Sequence, residues 1–196
     1  MGYSPPEGLV DLVDSMKKAA GAFADADIPV VLGGGLAAWA RGGPATDHDV
    51  DFFVRADDVE RALQALADTG MRIERPPEGW LVKAWDGKVL VDLIHSPAGL
   101  PVDDGIFERA TRIDVLAQPL LVASAGDVLA SKILALTEQD PNLRPVLEIA
   151  RALREQVDWE FVRAKVGNTP FGAAVLTLVE RLGIVEPEGA TASVVH

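Results

Sequence analysis

Two aspartates, Asp49 and Asp51, stand at the head of the apolar run Phe52-Phe53-Val54. On an extended strand a spacing of two turns both carboxylates to one face. Like charges that close repel, and a cation between them removes the cost; an all-oxygen donor set suits Mg²⁺. A third acid, Asp92, sits inside the apolar segment KVLVDLIH at 88–95. There Leu90, Asp92 and Ile94 share one face, and Val89, Val91 and Leu93 the other. A lone carboxylate within such a strand is expensive to bury without a partner or a metal. Upstream, Gly33-Gly34-Gly35 separate the short run Val30-Val31-Leu32 from a small-residue stretch, 36–41, that is predicted helical. The glycines allow a sharp turn and close approach of the backbone to a ligand. Free N–H groups just after them would attract phosphate. A phosphate cradle beside paired carboxylates is equipment for metal-assisted phosphoryl or nucleotidyl transfer.

Each part has a plainer reading. The glycines could form an ordinary strand-to-helix turn. Residues 33–38 also fit G-x-G-x-x-A, the dinucleotide-binding pattern. That fold wants its ribose-binding acid at the end of the second strand, whereas Asp49 and Asp51 precede the apolar run. Asp49 and Asp51 could belong to a solvated turn with Asp47 and His48. Trp39, Trp80, Trp85 and Trp159 could stack a base or simply pack. The glycine-to-acid spacing together with Asp92 favours the metal-dependent reading.

The elements that must position these residues follow from periodicity. Leu9, Leu12, Val13, Met16, Ala20 and Phe23 repeat at helical spacing over 7–26. Helix 56–69 buries Val59, Leu63 and Leu66, with Asp57 as its expected cap. Short strands are expected at 71–74, 80–85 and 88–95, with Asp86-Gly87 as a hairpin turn. A short helix or turn and edge strands fill 106–121. Ser124-Ala125-Gly126-Asp127 has the form of a capping box, and helices at 128–138, 143–155, 159–165 and 171–182 follow.

The chain has 196 residues, 48% of them apolar, which is enough for a real core. The absence of cysteine excludes disulfides, thiolate metal sites and a Cys nucleophile. No apolar run reaches membrane-spanning length, and residues 1–14 lack a basic leader, so a cytoplasmic protein with no membrane partner is expected. The net charge of −12 disfavours broad contact with nucleic acid.

The order hydrophobic, Gly34-Gly35, the thirteen residues 36–48, then Asp49-Val50-Asp51 resembles the nucleotidyltransferase superfamily of DNA polymerase beta. Within it the chain looks most like the AbiEii-type and MenT-type proteins, which include toxins of toxin–antitoxin pairs. The resemblance implies an α/β (α+β) fold. A mixed nucleotidyltransferase-type sheet with flanking helices would occupy 1–122, a helical bundle 123–185 and a frayed tail 186–196. It implies that Asp49, Asp51 and Asp92 are catalytic and bind Mg²⁺ or Mn²⁺, and that a nucleoside triphosphate is the substrate. Gly34, Gly35, Thr46, Asp47, Lys132 and Glu148 would bind the nucleotide. Asp47 stands where such relatives usually carry Ser or Thr, and the hydroxyl is one residue earlier, at Thr46. Lys132 could equally be a solvated helix lysine, and Glu148 a helix salt-bridge partner of Arg144 or Arg151. The implied acceptor is a hydroxyl on a tRNA 3′ end, a protein side chain or a small molecule, with an antitoxin as a further partner. The alternative is a nucleotide-binding regulatory module without turnover.

Overall fold

A computed structural model describes residues 8–46, 49–77, 79–97 and 102–187. In chain order these form α1 (Leu9–Asp25), β1 (Val30–Leu32), α2 (Gly34–Ala40), β2 (Asp49–Val54), a 3₁₀ turn (Ala56–Asp58) and α3 (Val59–Asp68). Strands β3 (Arg72–Glu74), β4 (Leu81–Asp86) and β5 (Val89–Ile94) follow, then α4 (Asp104–Arg109), β6 (Thr111–Val115) and β7 (Gln118–Val122). Helices α5 (Ala125–Leu134), α6 (Leu143–Ala152), α7 (Trp159–Val166) and α8 (Pro170–Arg181) complete the described chain. Asp47, His48, His196, the lead-in Pro5-Pro6 and most of the expected tail lie outside the described residues.

The strands make one mixed sheet in the order β3-β4-β5-β2-β1-β7-β6. β2 lies centrally, parallel to β5 and antiparallel to β1. Its alternation sorts the side chains. Val50, Phe52 and Val54 turn toward the face covered by α1 and α3, where Phe52 meets Phe23 edge-on at 5.3 Å. Asp49, Asp51 and Phe53 turn toward the other face, which α2 and α5 cover. Full burial of residues such as Phe52, Leu36, Leu129 and Ile133 contributes about 1.5–3 kcal/mol each. One apolar core runs continuously from Leu9 to Ile184.

Several boundaries differ from expectation. α2 starts at Gly34, not after the glycines, because Gly33 is extended and its carbonyl accepts the Ala37 N–H to close the first turn. Asp57 lies in the 3₁₀ turn and caps nothing; Asp58 precedes α3, but its carboxylate is taken by Arg61 at 2.7 Å. The hairpin loop is Gly87-Lys88, one residue later than expected, since Asp86 already pairs with Val89. β7 is interior, held parallel to β1, and only β6 forms that edge. α5 stops at Leu134, and in the turn beyond it Thr137 Oγ1 accepts the Asp140 N–H. Ser124 caps α5 as expected: its Oγ accepts the Asp127 N–H at 3.0 Å and donates to Asp127 Oδ2 at 2.6 Å, in place of the reciprocal bond of a full capping box. Asp127 also takes both nitrogens of Arg109, tying α4 to α5. Among the described residues no helix is long and apolar enough to cross a membrane.

Candidate active site

Strand pairing brings the three acids together. In the parallel β2–β5 ladder Asp51 is the direct partner of Asp92, and Asp49 is two residues back on the same face. One carboxylate oxygen from each lies within 4.8 Å of the others. Among the described residues this is the one group of three or more acids, histidines or cysteines so arranged. Asp51 and Asp92 are each only 7% exposed. Asp92 Oδ1 is fully buried and has no hydrogen-bond partner, a condition that costs about 1–3 kcal/mol or more for a charged group. Burial, followed by repulsion from Asp49, pushes Asp51 up to about 7; Lys132 and Lys83 pull the other way and Asp92 adds to the rise. Burial likewise pushes Asp92 up to about 6, with Lys83 opposing and Asp49 reinforcing. Three convergent carboxylates, one with an orphaned oxygen, fit a hard divalent cation: its ligation would satisfy Oδ1 and offset the repulsion.

The glycine turn is shaped around these acids. Gly33 N–H donates to Asp51 O at 2.8 Å, extending the β1–β2 ladder to the acid itself. Gly34 has φ +56°, and a Cβ there would overlap the Asp51 carboxylate. A Cβ at Gly35 would come 2.5 Å from Thr46 Oγ1. Gly34→Ala is therefore expected to destabilise the protein by about 2 kcal/mol, a fall in melting temperature of about 6 °C. Gly21→Ala, in α1 with open space around the added methyl, is the control and should raise it slightly.

Two clefts meet beside the acids. The first, of about 420 Å³, is lined by Gly34, the three acids, Trp80, Leu81, Ile94 and, from α5, Ser131, Lys132 and Leu134. The second, of about 280 Å³, is lined by Gly35, Thr46, Lys132, Asn142 and Glu148 among others. Lys132 and Ala135 belong to both. So Gly34, Gly35, Thr46, Lys132 and Glu148 all line one of two adjoining cavities. Glu148 is held by Arg144 at 2.8 Å in an i,i+4 pair, as its plainer reading had it. Trp39 and Trp159 pack against the core, and Trp85 donates to Glu74.

One charged residue of the site is absent from the sequence reading. Lys83 on β4 lies directly opposite Asp92 in the antiparallel ladder, and Glu74 on β3 lies opposite Lys83. A row Asp51, Asp92, Lys83, Glu74 thus crosses four strands on one face. The signal was the hairpin: a loop of Gly87-Lys88 pairs 83 with 92, whereas a loop one residue earlier pairs 83 with Leu90.

The chain is similar in fold to the antibiotic-resistance factor ANT(2'')-Ia in its solution structure. Identity is 15%, the match covers 90% of this chain and 97% of that one, and the TM-score is 0.63. A crystal structure of ANT(2'')-Ia in complex with adenylyl-2''-tobramycin gives 14% identity, 83% and 98% coverage and a TM-score of 0.61. An antigenic nucleotidyltransferase-like protein from Paracoccidioides brasiliensis gives 16%, 87% and 88%, and 0.51. No curated protein sequence matches the chain. The family described as "Nucleotidyl transferase of unknown function (DUF2204)" matches residues 12–182. The α/β fold and the resemblance read from Gly34-Gly35 and Asp49-Val50-Asp51 are thereby borne out: the chain is a nucleotidyltransferase and belongs to the DUF2204 family.

Proposed function

We propose that this enzyme moves a nucleoside monophosphate from a nucleoside triphosphate to an acceptor hydroxyl, with Asp49, Asp51 and Asp92 as its catalytic residues. The observation that carries the reading is the convergence of these carboxylates, one with an unpartnered buried oxygen, where two clefts join at Lys132. Asp49 and Asp51 would hold a divalent cation, Mg²⁺ or Mn²⁺, with Asp92 beside it. When bound, such an ion supplies positive charge against the triphosphate and the developing negative charge.

The chain's own groups do the rest. Lys132, at the junction of the clefts, points its charge toward the polyphosphate. The Gly34-Gly35 turn leaves the room a side chain would fill. Thr46 and Glu148 bound the cleft in which the nucleoside would lie. Asp92, raised to about 6 in the metal-free chain and lowered again by a bound cation, is ionised at neutral pH and placed to take a proton. The acceptor hydroxyl gives its proton to the Asp92 carboxylate as its oxygen bonds to the α-phosphorus. The bond from that phosphorus to the bridging oxygen breaks, and pyrophosphate leaves. The two clefts hold the partners in line, which replaces a bimolecular encounter by a fixed geometry.

ANT(2'')-Ia, whose fold this chain shares, has been captured with adenylyl-2''-tobramycin, and that likeness supports a small-molecule acceptor over a macromolecular one. The test is release of pyrophosphate from each of the four triphosphates with Mg²⁺, and its loss on chelation. Nucleotide binding without release, with every acceptor pool supplied, would instead favour the regulatory module.

A further inference from the structure

The acids make up only part of the first cleft. Its lining also includes Trp80, Leu81, Ile94, Pro97 and Leu134. Trp80 is 37% exposed, one of four large apolar side chains left so among the described residues; Val10, Leu116 and Leu182 lie away from both clefts. Its main chain is anchored, because the Trp80 carbonyl accepts the N–H groups of both His95 and Ser96 at 3.1 Å. A large ring left at the rim of a cleft forgoes its burial free energy until something covers it. The cleft offers a polyanion almost nothing: Lys132 is its one basic lining residue among those described, and the nucleotide's own phosphates need it. An RNA end brings a phosphate with each nucleotide and is gripped mainly through such charges. The chain's net charge of −12 adds to the repulsion. The volume, about 420 Å³, is that of an ordinary small-molecule site.

We infer that the acceptor is a small hydroxylated molecule with an apolar face and no phosphate, seated with that face on Trp80 and its hydroxyl toward Asp92. This rests on the nucleotidyl-transfer reading above and narrows it: Trp80 becomes the residue that selects the acceptor. The same rim excludes a tRNA end.

The experiment is transfer of label from an α-³²P-labelled triphosphate, in the presence of Mg²⁺, to three pools from a bacterial extract: the small-molecule ultrafiltrate, total tRNA and total protein. Asp51→Asn is run beside each as the blank. The expected product is an Asp51-dependent labelled compound from the ultrafiltrate that survives phosphatase pretreatment of that pool and is retained on an apolar matrix. Trp80→Ala should lower kcat/KM for that acceptor about tenfold, leaving the KM for the triphosphate unchanged, and Trp80→Phe should restore most of the loss. Asp51-dependent label in tRNA or protein alone overturns the inference and leaves the nucleotidyl-transfer reading standing. Label in the ultrafiltrate product that Trp80→Ala does not reduce also overturns it. Absence of Asp51-dependent label from all three pools removes the inference and the reading together.

Discussion

Asp51→Asn is expected to lower metal-dependent nucleotidyl transfer about a thousandfold or more while the protein still folds. The substitution keeps the side chain's size and removes the charge that a divalent cation needs, an interaction worth several kcal/mol in the transition state. Asp51 is buried beneath Gly34 and pairs with Asp92 across the strands, and asparagine fits the same space. Asp49→Asn should behave alike. Asp92→Asn differs in kind if Asp92 takes the hydroxyl proton. The variant keeps affinity for the triphosphate but loses kcat, and the acidic limb of the pH–rate profile, which a bound cation sets below the metal-free value of about 6 for Asp92, disappears with it. Pyrophosphate release and equilibrium nucleotide binding, measured on the three variants, read these effects separately. Transfer that survives Asp51→Asn within tenfold would rule out the triad as the catalytic centre.

The triad was legible because its logic is local. A carboxylate pair two residues apart and a single acid inside an apolar run each break the pattern of their strand, and strand alternation says which face each takes. That Asp51 and Asp92 become neighbours needs only that β2 and β5 lie side by side, and the resemblance to known nucleotidyltransferases implied that. Lys83 was not legible for the opposite reason. Its place depends on hairpin register, where a loop shifted from 86–87 to 87–88 changes its partner from Leu90 to Asp92. Trp80 looked like any core tryptophan; only the cleft between β4 and α5 shows that its ring is left at the surface. The start of α2 is not legible in the sequence because glycine is a poor helix former in isolation. Here the close fit of Gly34 over Asp51 and of Gly35 under Thr46 decides the conformation instead.

Stability of the metal-free protein should fall as the pH rises from about 5 to about 8, and Asp51→Asn should remove most of that fall. Asp51 titrates near 7 and Asp92 near 6 in the folded chain, against 3.8 for an ordinary aspartate. Between about 4 and 7 the native state therefore holds protons that the unfolded chain has released. Each proton is a stabilising ligand of the native state, and it is lost as the pH climbs through the folded value, so stability declines with pH. For Asp51 the loss across this window is on the order of 3 kcal/mol, a drop in melting temperature of about 8 °C. Burial comes first, Asp49 and Asp92 raise Asp51 further, and Lys132 from α5 and Lys83 from β4 oppose them. The general repulsion of a chain with net charge −12 would act in the same direction, which is why the variant matters. Asparagine carries no charge at any of these pH values, so at pH 8 the inactive Asp51→Asn protein should melt higher than the native one. Mg²⁺ should reverse the order. It stabilises the native chain at pH 8 and does little at pH 5, where protons occupy the same oxygens. Melting curves of both proteins at the two pH values, with chelator and with Mg²⁺, test this directly. A native melting temperature that does not fall between them would mean the three acids are already neutralised by the protein itself, and the repulsion that would favour a cation there would be absent.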